Sequence, residues 1–205
     1  MRYLELRNNL KDYKIFSLSD IKQLDINFHR RRLNEWQEKD YILKVVKGYY
    51  IFKDTDINDT ALYCIANRIY APSYISLEMA LSHYNLIPES VYSITSVSSR
   101  RKYRFDTKLG EFQYRAVKPE LFFGYKIIKE NNITYKIADL EKAILDYLYL
   151  NPHYTTIGDF SEFRINKEIF WENVDEQKLN KYLDRFAQKK LSVRMKKLLR
   201  YLKND

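Results

Sequence analysis

Four glycines and four prolines in 205 residues set the strongest limit on this chain. Sharp reversals draw on the positive φ of glycine and the fixed φ of proline. A chain so poor in both is expected to be regular over most of its length. Only the run "KDTDINDT" (53–60) gathers enough turn-forming and capping residues to read as a linker. It divides a first unit, residues 1–55, from a second, residues 56–205. No internal repeat or low-complexity stretch interrupts either.

The first unit reads as three helices and a hairpin. Leu4, Leu6, Leu10 and Tyr13 suggest a first helix. Ser17 is a good N-cap for a second, "LSDIKQLD", with Leu18, Ile21 and Leu24 inward. After the break Asp25-Ile26-Asn27, Asn27 can cap a third, "FHRRRLNEWQEK". At ~100° per residue its buried face centres on His29, Leu33 and Trp36. Asn27, Arg31, Asn34, Glu35 and Glu38 then point outward, with Arg30 and Arg32 on the flanks. "YILKVVKGYYIF" follows, two β-branched and aromatic runs that reverse at Lys47-Gly48. Short helix, tight turn, helix and hairpin in that order describe a winged helix-turn-helix. Its third helix would enter the major groove of double-stranded DNA. There Arg and Asn pair bidentately with guanine and adenine edges, and Lys44 and Lys47 of the wing become candidates for phosphate contact.

The second unit opens with helical patterns at Asp59–Tyr70 and, with Ser73 as N-cap, at Ser73–Leu86, where Leu77, Leu81 and Tyr84 form a stripe. Strand patterns come next: "VYSITSVSS", "KYRFDT", "EFQYRAV" and "YKIIKENNITYKI", the last turning at Asn131-Asn132. "DLEKAILDYLYL" reads as a helix capped by Asp139, with Glu141, Lys142 and Asp146 as surface charge. The remainder is helical by pattern and ends in a basic amphipathic helix, about 187–203. There Lys190, Arg194, Lys197 and Arg200 flank a stripe of Leu191, Met195, Leu198 and Leu202. The expected fold class is α+β, a winged helix-turn-helix followed by a mixed α/β domain with a helical C-terminus.

The net charge of +9 attracts polyanions in general and specifies none. Its distribution says more. Residues 1–60 hold twelve cations against ten acids, while residues 181–205 hold nine against two. A second cluster, Arg100, Arg101, Lys102 and Arg104, lies mid-chain with Arg115 nearby, interleaved with Tyr92, Tyr103 and Tyr114. Arginine beside aromatic rings can stack bases or hold phosphates. These five cations and the four of the last helix are second-domain candidates for nucleic-acid or acidic-partner contact. The lone Cys64 permits no internal disulfide and fits a reducing cytoplasm. No apolar run nears the ~20 residues of a membrane span, and "MRYLELRNNLKDYK" is too charged for a secretory signal. A cytoplasmic protein without a membrane partner is expected.

Little points to catalysis. His29, His83 and His153 lack metal-ligand spacing, and no glycine-rich phosphate loop occurs. Asp106 and Glu111 sit as in a metal-dependent nuclease, but Gln113 and Arg115 stand where such a centre needs lysine. No catalytic residue, cofactor or metal is expected.

The segment "IYAPSYISLEMALSHYNLIPESVYSITSVSSRRKYRFDTKLGEFQYRAVKPELFFGY" (69–125), followed by "IADLEKAILDYLYL" (137–150), resembles the AbiEi family of type IV antitoxins from abortive-infection systems of bacterial phage defence. The shared pattern is a Tyr-Ile-Ser-Leu-Glu helix, a Leu-Ile-Pro-Glu exit, a Thr-Ser strand and a Glu-Lys-Ala helix. It covers roughly residues 15–150. Met79 stands where a small residue is usual, and Asn85 where glycine is usual; asparagine also tolerates a left-handed helix end. The resemblance implies an autorepressor that binds inverted repeats in its own promoter and opposes a nucleotidyltransferase toxin without a stable complex. By position it places the DNA-reading helix on Asn27–Trp36 and the start of the antitoxin domain near Asp59, and it implies no catalytic residue. Two alternatives stay open, a module that neutralises a toxin by direct binding and an orphan winged-helix regulator.

Overall fold

The structure, a computed structural model, describes residues 1–88, 92–130 and 132–203. Helix α1 (Tyr3–Leu10) leads through β1 (Phe16–Ser17) into α2 (Leu18–Leu24) and α3 (Arg31–Glu38), then the hairpin β2 (Ile42–Val46) and β3 (Tyr49–Phe52). Ser17 caps α2, accepting from the Asp20 backbone N–H while Asp20 reaches back to the Ser17 N–H, which satisfies two orphan donors at once. Gly48, at φ +88, makes the Lys47-Gly48 reversal that a side chain would strain.

Three details depart from the sequence reading. Helix α3 starts one residue after Arg30, not after Asn27. The Asn27 backbone N–H instead donates to the Asp25 carboxylate at 3.1 Å, closing a local turn that holds Asn27 outside the helix. That turn sends Phe28 inward, 5.5 Å from the Trp36 ring, and leaves His29 exposed. Leu4, Tyr13 and Leu24 are also exposed, because α1 and α2 are short and bury only Leu6, Leu10 and Ile21 deeply.

The strands of the first unit order β1-β3-β2, all antiparallel. Successive residues alternate faces. Ile42, Tyr50 and Phe52 join Leu33 and Trp36 in one core, whereas Val45 and Ile51, with Ile15, belong to the larger core of the rest of the chain. Strand β2 lies against the sheet of the second unit.

That second unit begins with α4 (Asp59–Ile69), capped by Asn58, followed by β4 (Ser73–Ile75), α5 (Leu77–His83), β5 (Ser93–Ser98), β6 (Tyr103–Thr107) and β7 (Gly110–Ala116). After a 3-10 turn at Pro119–Leu121 come β8 (Tyr125–Glu130), β9 (Ile133–Ala138), α6 (Leu140–Leu150), α7 (Ile157–Glu162), α8 (Lys167–Asn173), α9 (Glu176–Phe186) and α10 (Lys189–Lys203). The fold class is α+β. Among the described residues six strands form a mixed sheet ordered β6-β7-β5-β4-β9-β8. Helix α4 covers one face, where the Tyr114 hydroxyl donates to the Ala66 carbonyl. Helix α6 covers the other, where Tyr74 reaches Asp146.

The helix expected over 73–86 begins only at Leu77. Ser73–Ile75 is a strand near the middle of the sheet, flanked by β5 and β9. Tyr74 and Ile75 are fully buried, one on each face. A helix there would turn one of them to solvent, so tertiary burial overrides the helical pattern of Leu77, Leu81 and Tyr84. Asn85 ends α5 at φ +55, the left-handed conformation that glycine usually supplies. Of the expected Asn131-Asn132 turn, Asn131 lies outside the described residues; Asn132 has φ +64 and the two flanking strands pair antiparallel.

Candidate nucleic-acid interface

Helix α3 is held from behind by aromatic packing. Phe28 and Tyr3 flank Trp36 at 5.5 and 5.8 Å between ring centroids, and Leu33 is buried beside them. This fixes which side faces out. Arg30, Arg31, Asn34, Glu35 and Glu38 are exposed, and so is Asn27 in the preceding turn. The Arg31 side chain is 90% exposed; its one ionic neighbour among the described residues, Glu35, stands 3.7 Å away one turn on. A surface pair of that kind contributes only tenths of a kcal/mol, so Arg31 can exchange it for another anion. Arg30 and Asn34 form no ion pair or side-chain hydrogen bond among the described residues. Arg32 is different: its guanidinium donates to the Met1 carbonyl and is half-buried there. It is a brace between α3 and the start of α1, not a free flank residue.

The hairpin adds Lys44 and Lys47, both exposed and unpaired among the described residues. Lys44 shares the hairpin face of Ile42 and Tyr50, the face packed on the core of α3. A bulge between Lys44 and Val46 bends the strand just before the Lys47 tip.

The second-unit cations divide sharply. Arg104 is held between Asp106, 3.0 Å away, and Glu111, which face each other across β6 and β7. Its charge is cancelled, and both carboxylates of the nuclease-like pair are occupied. Arg115 donates to the Leu150 carbonyl at 2.8 Å and ties β7 to the end of α6. Arg100 lies over the Tyr70 ring at 4.8 Å and donates to the Ala71 carbonyl. Arg101 and Lys102 remain exposed and unpaired among the described residues. Tyr114 is buried in the sheet, Tyr103 is half-exposed and Tyr92 stands free.

Helix α10 also departs from expectation. Leu191, Met195, Leu198 and Leu202 are buried as a stripe, but Arg194 is buried with them. Its guanidinium donates to the Leu148 and Asn151 carbonyls at 2.7 and 3.1 Å, satisfying the orphan acceptors at the end of α6. Burial holds its pKa below the usual value. Lys197 stays exposed while donating to the Thr155 carbonyl at 3.2 Å; Lys190 and Arg200 are exposed and unpaired among the described residues.

Sequence reasoning missed a buried polar centre. Lys142 and Asp146, expected at the surface, are both 0% exposed and form an ion pair one turn apart on α6. Asp146 also accepts from Tyr74 and Ser76, each at 2.9 Å, and Lys142 donates to the Tyr74 hydroxyl at 2.8 Å. Burial pushes the Asp146 carboxyl up and the Lys142 ammonium down, the two opposing one another's neutralisation. Nearby, Glu141 and Asp139 grip Lys178 of α9 at 2.7 and 3.0 Å, and Tyr182 donates to Asp139, holding α9 on α6. The legible signal was the pair Lys142/Asp146 set in a helix apolar on every side. No three His, Cys, Asp or Glu side chains among the described residues group as metal ligands.

No protein-family model matches this chain, and no curated protein matches it in sequence.

Proposed function

We propose that this chain is a transcriptional autorepressor that binds double-stranded DNA and serves as the antitoxin of a type IV system, opposing a nucleotidyltransferase toxin. The observation that carries the DNA half is the exposed edge of α3. Arg30 at the head of α3, and Asn34 and Arg31 on it, stand exposed, Arg31 with the weak Glu35 pair alone among the described residues, while the opposite side is locked by Phe28, Leu33 and Trp36. Eight residues span about 12 Å, close to the ~12 Å width of the major groove, and Lys44 and Lys47 follow at once on a hairpin. Such an order of elements reads as a winged helix-turn-helix, with bases met by α3 and phosphates by the wing. The antitoxin half rests on the likeness of 69–125 and 137–150 to the AbiEi pattern.

A gel-shift titration with the chain's own promoter region tests the first half. Arg31→Ala and Asn34→Ala should each weaken binding by about tenfold to a hundredfold, the ~1–3 kcal/mol of a lost bidentate base contact, with unchanged circular dichroism. Affinity equal to the parent in both variants would remove α3 as the reading element. Co-expression with a toxic nucleotidyltransferase, taken from the neighbouring gene if that gene encodes one, tests the second half: growth should be restored without co-elution of the two proteins. Co-elution on size exclusion would favour direct neutralisation instead.

A further inference from the structure

A groove of about 730 Å³ opens where the first unit meets the second, a volume usual for small-molecule sites. Its existence follows from the shortness of β4. That strand meets β9 only at Ile75 opposite Ile137, so the earlier part of β9, paired with β8 on one edge, has no strand on the other. Side chains of α4 take over: Asn67 Oδ1 accepts the backbone N–H of Lys136, and the Cys64 sulfur meets that of Thr134. Because the Asn67 oxygen is engaged, its amide presents N–H donors to the other side. Asn67 Nδ2 and Ser73 Oγ both belong to the groove lining, both are buried, and neither has a hydrogen-bond partner among the described residues. Ser73 is 2% exposed. Each such group costs about 1–3 kcal/mol, and folded proteins retain few. Two of them on one groove are groups that a molecule seated there can supply with acceptors.

The charge of the walls gives the sign of that partner. Among the described residues Lys14 bonds the Asp56 backbone carbonyl, at 3.2 Å, and no carboxylate, so its charge is uncompensated there. Arg68 also lines the groove, shared with Asp20 of α2 at 2.5 Å and 5.6 Å from the Tyr13 ring. Both cations act on the Cys64 thiol against the upward push of burial; Asp12 is the acid on the lining itself. Tyr13 and Tyr49 complete the rim with accessible rings.

We propose that this groove binds a small phosphate-bearing molecule with a planar ring, of the nucleoside monophosphate class. Lys14 and Arg68 take the phosphate, Asn67 and Ser73 meet acceptors on the ligand, and Tyr13 and Tyr49 flank the ring. The site rests on its own residues and not on the DNA reading, and its test contains no DNA.

Isothermal titration of the full chain with adenosine and guanosine monophosphate, with inorganic phosphate, and with the free nucleosides separates the parts. At least one monophosphate should saturate the protein, more tightly than phosphate or the nucleoside alone. Lys14→Glu should weaken it at least tenfold, and Ser73→Ala several-fold without lowering Tm, since that hydroxyl has no partner to lose. Lys22→Glu, on exposed α2, should leave it unchanged. Absence of saturable monophosphate binding at millimolar concentration would overturn the site. So would parental affinity in both Lys14→Glu and Ser73→Ala. Phosphate binding as tightly as the monophosphates would overturn the nucleoside class.

Discussion

Helix α3 and helix α6 carry the same kinds of charge and use them oppositely. At the head of α3, Arg30 and Arg31 stand in solvent with at most one weak carboxylate neighbour among the described residues. On and around α6, Lys142, Arg115, Arg194 and Lys178 are all consumed inside the fold, on Asp146, on helix-end carbonyls, or on Asp139 and Glu141. A cation therefore says little about polyanion binding until its partners are known. The nearly neutral first unit still presents uncommitted cations on α3 and the hairpin, while the strongly basic C-terminal segment spends part of its charge on holding α10 to α6.

The contrast breaks first, and most visibly, at Asp146. Asp146→Ala leaves Lys142 charged in the core, and urea unfolding should register a loss of about 3–5 kcal/mol. The double variant Lys142→Met/Asp146→Leu should recover most of it; a single variant as stable as the parent would mean that the pair is not structural. Arg194→Met should be milder, about 1–3 kcal/mol for carbonyls left unsatisfied, and should leave DNA affinity unchanged. An altered affinity would return Arg194 to the interface. At the other pole, Lys44→Gln/Lys47→Gln should leave stability within about 0.5 kcal/mol. It should flatten the slope of log K against log salt by about 0.9 per lost phosphate contact. An unchanged slope would confine DNA contact to α3.

The smallest effect concerns Asp159, whose carboxyl is held down to about 2 by the backbone N–H groups of Thr155 and Thr156 at the start of α7. A lowered pKa contributes stability above the ordinary carboxylate value and loses it as pH falls from about 4 through about 2. Thermal midpoints at about pH 5 and about pH 2 should therefore converge slightly in Asp159→Asn relative to the parent. Equal spacing in both would deny the cap its charge.

Much of this layout is legible in the residues. Ser17 and Asp139 cap where their types and positions suggest, Gly48 turns the hairpin, and the period-two runs become strands. What escapes is decided by three-dimensional neighbours. Ser73–Ile75 is too short to carry a strand pattern and is recruited by β5 and β9. The turn at Asp25 decides between Phe28 and His29 for the core, a choice that helical stepping from Leu33 makes wrongly because α3 begins later. Charges on α6 look solvated because their counter-charges and hydroxyls arrive from α9 and β4, far away in the chain. The groove leaves no trace in the sequence at all, since it depends on where β4 stops.

The small sheet of the first unit, with Phe16, Tyr50 and Phe52 in one core and Ile15, Val45 and Ile51 in another, bears on how such a protein can be recombined. The segment before the linker cannot be moved between proteins as a ready-made cassette. Wherever it was grafted, it would carry an oily underside needing a matching host surface. If α3 reads DNA as proposed, a change of operator is more readily reached by altering a few of its outward residues in place than by exchanging the whole segment.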